Sequence, residues 1–429
     1  MHKLTELIRQ DMKPALGVTE PGAIAFAVAS AKSRLKGEIT KIRVSMNSGM
    51  YKNAFTCGIP GTDEVGSAYA AALGAVAGKA DRGLESLADV SAKDTEKARA
   101  LIRQRRVEIC MDSISSRIFI CAEVWTETEK ASVTIRDSHT NITEIVVNGK
   151  LLFKNSGETE EAEETGHSSI KGYTLREMAA YAETVDLEEI AFISQAYKVN
   201  LELFRKGLES SRTTFAGHLL KLNQGKVISD NERTTASLLC NAAIEARVIG
   251  LDAPAMSITG SGAHGIIATM PLYAAYKVNG YTQEQLLRAT ALSYLVCMYI
   301  KEYSGKLSAF CGCAIAAGSG MACGLVCLRG GTVEQMTHTL NNMASSITGM
   351  ICDGGNQGCT MKGIAAVDAA YQSVDFAMNG IYIDNVHGIN GCTPEETMRN
   401  MGKIASPGMT GTEKTIVEIF EAKRRTAEE

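Results

Sequence analysis

The feature that most limits the fold of this 429-residue chain is a change of pattern near residue 172. Before it, several segments alternate apolar and polar residues. After it that alternation nearly vanishes, and one helical pattern follows another. The segments "ITKIRVSMN" (39–47), "SRIFICAEVW" (116–125), "ASVTIRD" (131–137) and "ITEIVVNGKLLF" (142–153) read as half-buried strands. The last folds back on itself at the Asn-Gly turn of "NGK". Helices are expected at 2–12 and 22–35, and near 65–79 and 93–105. Residues 1–170 are therefore expected to form an α+β domain built on an antiparallel meander. The acidic stretch "NSGETEEAEETGHSS" (155–169) has almost no apolar content and reads as an exposed loop or linker. Residues 171–429 are expected to form a mainly α-helical domain. Its helices are placed at 174–184, 186–209, 214–223, 229–249, 265–278, 282–303, 307–329, 332–350, 361–379, 394–403 and 411–424. Thr393 is expected to cap one of them, with Pro394 in its first turn.

Composition narrows the class further. Hydrophobic residues make up 45%, charged residues 21%, and the net charge is -4, so the basic footprint of a nucleic-acid binder is missing. No apolar run spans a bilayer without polar breaks, and "MHKLTELIRQDMKPAL" lacks the apolar core of a signal peptide. A cytoplasmic location without a membrane partner is the expectation. Disulfides are rare in such a reducing compartment, so the twelve cysteines need another account. Cys110, Cys121, Cys240, Cys297, Cys323 and Cys327 have apolar surroundings and read as packing residues. Cys311, Cys313, Cys352 and Cys359 instead sit beside glycines and polar residues, in "FCGCAIAAGSGMACG" (310–324) and "MICDGGNQGCTMKG" (350–363). Their spacing is neither a standard zinc pattern nor the compact run of ferredoxins. Thiolates favour soft metals, so an iron–sulfur cluster and plain packing both stay open at this point.

Two other segments stand out. "SITGSGAHGIIATMP" (257–271) is a Gly-, Ser- and Thr-rich loop that leads into a helix. The backbone N–H groups of Thr259, Gly260, Ser261 and Gly262 could receive an anion such as a carboxylate there. A tight connection between helices is the alternative. His264 lies inside this loop. "NSGMYKNAFTCGIPGT" (47–62) follows a strand and holds Lys52 and Asn53, in a loop that is either functional or plain surface.

Several pieces together carry a resemblance to a known family. They are "KPALGVTEPGAIAFA", "IPGTDEVGSAYAAALGAVAG", "TGSGAHGI", "GKLSAFCGCAIAAGSG", "ITGMICDGGNQGC", "AVDAAYQS" and "TPEETMRNMGKIASPGM". Over nearly its whole length the chain resembles the UPF0597 family, the L-cysteine desulfidases related to the alpha chain of iron–sulfur L-serine dehydratases. The resemblance implies a [4Fe–4S] cluster held by Cys311, Cys313, Cys352 and Cys359, with Cys311 and Cys313 as alternatives for one corner. It also implies a lyase that needs no pyridoxal phosphate and turns L-cysteine and water into hydrogen sulfide, ammonia and pyruvate. The substrate carboxylate would then lie on the N–H groups of Thr259 to Gly262, with Lys52, Asn53 and His264 around it. His264 or Lys52 would serve as base.

The chain departs from the family pattern at two places. Val18 replaces the cysteine of the family's "GCTEP" element, and Ala263 replaces the amide of its "GSGNHG" loop. These departures keep other readings in play: an L-serine dehydratase-like deaminase, a lyase for another β-substituted amino acid, or a non-catalytic cluster-binding homologue. The expected partner is a small amino acid, and a homodimer is compatible with the sequence.

Overall fold

The computed structural model describes residues 1–155, 169–305 and 307–428. Of the acidic stretch 155–169, only Asn155 and Ser169 fall within the described residues. The N-terminal region runs α1 (Lys3–Asp11), β1 (Lys13–Leu16), α2 (Thr19–Lys32), β2 (Lys41–Met46), α3 (Ser48–Asn53), α4 (Ser67–Ala77) and α5 (Ala92–Arg103). It continues through β3 (Val107–Met111), β4 (Phe119–Trp125), β5 (Lys130–Arg136), β6 (Ile142–Val147) and β7 (Lys150–Lys154). Strands β2 and β4 to β7 form the expected antiparallel meander, with β6 and β7 joined at the Asn-Gly turn. Strand β3 is the addition: it pairs in parallel with the free edge of β2. Its short "VEICM" sequence offers too little alternation to reveal a strand.

The sheet is one-sided. Ile42, Val44 and Met46 of β2 are buried, as are Ile120, Ala122 and Val124 of β4 and Ala131, Val133 and Ile135 of β5. The register places Ile120 opposite Ile135 and Ala122 opposite Val133, so alternate residues make one continuous apolar face. Helix α2, rich in alanine and almost entirely buried, lies across β4 and β5 with α4 beside it.

Among the described residues the rest is helical, apart from one short strand. It runs α6 (Leu175–Thr184), α7 (Leu187–Ile190), α8 (Ser194–Glu209), α9 (Phe215–Leu222), α10 (Glu232–Val248), β8 (Pro254–Ser257), α11 (Gly262–Asn279) and α12 (Gln283–Ser304). Then follow α13 (Gly318–Leu328), α14 (Val333–Ile347), α15 (Gly358–Met378), α16 (Pro394–Lys403) and α17 (Thr410–Glu428). Side chains mark many starts as the sequence suggests. Thr174, Thr282 and Thr332 each close a capping box, and Thr393 caps α16 with Pro394 in its first turn. Helix α10 is buried nearly all round and packs against α8, α9, α11 and α15, which makes it the centre of the bundle.

Three features depart from the sequence reading. The stretch 186–209 is broken by a 3₁₀ turn at Ala191–Ile193. The expected helix at 307–329 starts only at residue 313, with a π-helical turn over Cys313–Ala317. Residues 309–312 are drawn instead into a bridge between Phe310 and Ile351, where Cys311 N donates to Met350 O (3.0 Å) and Cys352 N to Ala309 O (2.6 Å). The third departure is β8, which pairs antiparallel with β1 and ties the N-terminal segment to the helical bundle.

Candidate functional site

A cavity of about 420 Å³ opens where these crossings meet. Its wall is drawn from the start of α2, the end of α3, the loop into α11, the end of α12 and the two cysteine segments. Residues far apart in sequence therefore share one space.

Three of the four singled-out cysteines, Cys313, Cys352 and Cys359, line this cavity; Cys311 is buried just behind them. The Phe310–Ile351 bridge brings the two segments side by side. Between Cys352 and Cys359 the chain wraps tightly. Gly354 has φ +101°, and a β-carbon there would lie 2.3 Å from Lys52 O, so only glycine fits. Cys359 Sγ reaches Gly354 O at 3.4 Å, and Cys352 Sγ is 4.0 Å from Asn53 Oδ1. Hydrogen bonding with Cys313, and then burial, pushes the Cys311 thiol well up; burial raises Cys352 and takes Cys359 up to about 12.

Among the described residues, no three His, Cys, Asp or Glu side chains are gathered closely enough to hold a single metal ion. The donor set nonetheless suits a larger sulfur-bound group. Four soft thiols converge from two segments of irregular backbone, and lysines supply compensating positive charge. Lys362 acts on Cys352 and Cys359, Lys52 on Cys352, and Lys301 feels Cys311, Cys313 and Cys352. Lys362 is itself ion-paired to Asp353 within the Cys352–Cys359 loop.

The second wall is the loop before α11. Thr259 has φ +52°, a left-handed conformation that a β-branched residue rarely adopts. Its N–H donates to Asp11 Oδ2 at 2.7 Å, and the Ser261 N–H donates to Ile258 O at 3.1 Å. Two of the four amides expected to face an anion are thus already engaged, which leaves those of Gly260 and Gly262. The Thr259 hydroxyl donates to Ile258 O (2.7 Å) and lies 2.5 Å from His264 Nδ1. With its hydrogen used, that hydroxyl accepts from Nδ1–H, and this tautomer leaves the Nε2 lone pair free. A β-carbon on Gly312 would fall 2.8 Å from Nε2, so the imidazole edge faces the segment between Cys311 and Cys313. Burial, then the charges of Lys301 and Arg247, hold His264 well below the usual imidazole range. It is a neutral, oriented imidazole in a cavity wall.

Asn53 lines the cavity and donates to Glu20 Oε1 at 2.9 Å. Lys52 does not line it. Its ammonium is 1% exposed, bonded to Glu413 Oε2 (2.7 Å) and Ser308 O (2.9 Å), so the structure ties it down as a buried ion pair. Val18 lines the cavity at the start of α2, and a β-carbon on Gly355 would meet its Cγ1 at 3.0 Å. The position of the replaced cysteine therefore abuts the Cys352–Cys359 loop.

Sequence reasoning missed Asp11, Glu20, Arg247, Lys301 and Glu302, all of which line the cavity. For Arg247 a signal existed: Glu245 and Arg247 interrupt the apolar run "LLCNAAIEARVIG". Asp11 gave no such sign; burial raises its carboxyl, partly offset by the Thr259 N–H.

Helical bundle, cysteine-lined cavity and glycine loop together define a class. The family model "Serine dehydratase alpha chain" matches residues 81–418, and the chain belongs to this family. Within it, the chain is similar to proteins named UPF0597 protein. One from Clostridium botulinum (strain Okra / Type B1) is 40% identical over 97% of this chain and 98% of its own length. Another, from Caldanaerobacter subterraneus, is 36% identical over 98% of each chain, and one from Methanocella arvoryzae is 35% identical over 97% of each. No described helix is long and apolar enough to cross a membrane.

Proposed function

We propose that this chain is an iron–sulfur-dependent lyase, acting without pyridoxal phosphate, that performs β-elimination on a small amino acid. L-Cysteine is the substrate proposed, giving with water hydrogen sulfide, ammonia and pyruvate. The observation that carries the reading is one cavity in which Cys313, Cys352 and Cys359 share a wall with a neutral imidazole, His264.

Cys352, Cys359 and one of Cys311 and Cys313 would hold a [4Fe–4S] cluster, which supplies a Lewis acid that makes the β-sulfur or β-hydroxyl a better leaving group. The remaining work falls to side chains of this chain. His264 Nε2 is the base for the α-proton: its Nδ1 is fixed by Thr259, and its depressed affinity keeps it unprotonated at neutral pH. Gly260 and Gly262 offer N–H groups to the substrate carboxylate at the start of α11. Asn53, oriented by Glu20, presents its amide beside Cys352. Lys52 fits a positioning role better than that of base, because Glu413 holds its ammonium outside the cavity wall.

Val18 supports a second reading, in which L-serine is the substrate, since this wall is apolar where relatives of the desulfidase type carry a thiol. A pyruvate assay on anaerobically purified protein with L-cysteine, L-serine and other β-substituted amino acids, alongside iron and sulfide analysis, separates the two. Pyruvate from none of them with the cluster present would leave only the non-catalytic homologue.

A further inference from the structure

Helix α10 buries two charged residues two positions apart, and they meet opposite fates. Glu245 is fully buried, and its carboxylate accepts from the N–H groups of Thr214 (2.7 Å), Phe215 (3.1 Å) and Ala216 (2.9 Å) at the start of α9. That helix start has its anion supplied from within the chain. Arg247 is 5% exposed and lines the cavity. Its Nε is buried with no hydrogen-bond partner among the described residues. A buried Nε–H left without an acceptor is costly, and an anion in the cavity would offset that cost.

The neighbouring helix start lacks an anion too. Ser261, the N-cap of α11, makes no side-chain cap bond, and the first bond closing the helix runs from Gly265 N to Ser261 O (3.3 Å). The N–H groups of Gly262 and Ala263 therefore precede any intrahelical acceptor. The two features touch. A β-carbon on Gly262 would fall 2.7 Å from Arg247 Nε, so the guanidinium stem lies directly against the first helical residue. Asp11, the acidic group facing this end, already accepts the Thr259 N–H.

We infer that Arg247 and the first turn of α11 form the anchor for the α-carboxylate of the amino-acid substrate. The identity of that ligand rests on the lyase reading above; the anion-binding geometry does not. A carboxylate held here lies at the same first turn of α11 that carries His264, in the cavity that Cys313, Cys352 and Cys359 also line. The anchor would thus select amino acids over the corresponding amines and amides.

The test uses L-alanine and L-alaninamide, which have no β-leaving group and are not turned over, titrated calorimetrically into the anaerobically purified protein. The native protein should bind L-alanine and discriminate against the amide. Arg247→Gln should weaken L-alanine binding about 10- to 100-fold, the range for losing a hydrogen bond to a charged group, and leave the amide unchanged. Arg247→Lys, which keeps the charge, should recover part of the loss; it also decides the matter if the Gln variant does not fold. With a turned-over substrate the loss should appear mainly in KM. Equal binding of acid and amide by the native protein, no binding of either, or undiminished L-alanine binding by the folded variants would overturn the anchor. Arg247-dependent binding without pyruvate formation would sink the lyase reading and leave the anchor standing.

Discussion

Two sets of cysteines in the helical region differ in exposure and in backbone. Cys240, Cys297 and Cys323 lie inside α10, α12 and α13, and burial pushes Cys240 and Cys323 up and Cys297 up to about 12. Cys311 and Cys359 are pushed up as well, so acidity alone does not tell the sets apart. The difference is in what surrounds them. The first set sits fully buried in regular helix, although Cys297 also feels Lys301 and Asp11. The second sits at a π-turn, a two-residue bridge and a glycine wrap, beside Lys52, Lys301 and Lys362 and facing a cavity. Irregular backbone and an opening on the cavity, rather than thiol acidity or a neighbouring lysine, separate the two sets.

The sharpest way to break this comparison is to remove one thiol from each set. Cys352→Ala and Cys359→Ala should each lose iron and lyase activity together, measured by iron and sulfide content and pyruvate release under anaerobic conditions. Full iron in both variants would erase the distinction. Next in size is His264→Gln, expected to lower kcat by about 10²–10⁴-fold, as loss of a general base does, with iron content unchanged.

The same residue gives a pH signature in iron-free protein. Its folded affinity for a proton is depressed below the ordinary value of 6.5, so below that pH the unfolded chain binds more protons than the folded one. Stability therefore falls as pH drops below about 6.5, by up to about 1.4 kcal/mol per pH unit for this group. Urea midpoints of native protein and His264→Gln should converge, or cross, on going from pH 7.5 to 5.5. A constant gap would show that His264 titrates alike in both states.

The Lys52–Glu413 pair supports the irregular set only, because the Lys52 carbonyl packs under Gly354. Glu413→Ala should cost about 3–5 kcal/mol in urea unfolding by stranding a buried ammonium, whereas a Lys52→Met, Glu413→Leu double variant should recover much of that. Cys323→Ala should cost only about 1 kcal/mol and retain full iron, as loss of a small packed side chain. The smallest effect is expected from Val18→Cys: unchanged iron and a modest gain in activity on L-cysteine. Altered iron content would instead make that position part of the ligand set.

Much of the fold was legible because its signals are local. The meander follows from alternation and the Asn-Gly turn, and the Thr174, Thr282, Thr332 and Thr393 caps from helix-start chemistry. Strands β1 and β8, each four residues with a proline, carry no alternation and exist because they find each other across more than two hundred residues. The helix read at 307–329 yields its first turns to the Phe310–Ile351 bridge, an interaction with no local trace. At the site, His264 and the four cysteines stood out by their glycine-rich neighbours. Asp11 and Glu413 did not, since each acquires its role only from the distant residue it faces.

The Lys52–Glu413 pair also sets a schedule for synthesis. The two residues are 361 positions apart, so at ribosomal rates of about 5–20 residues per second the lysine emerges roughly 20–70 s before its counter-charge. During that interval the meander can pair, but α3 carries an ammonium that cannot be buried alone. Until α17 has left the ribosome the Lys52 ammonium lacks its carboxylate partner, so the wall that packs under Gly354 is completed only with the last described helix.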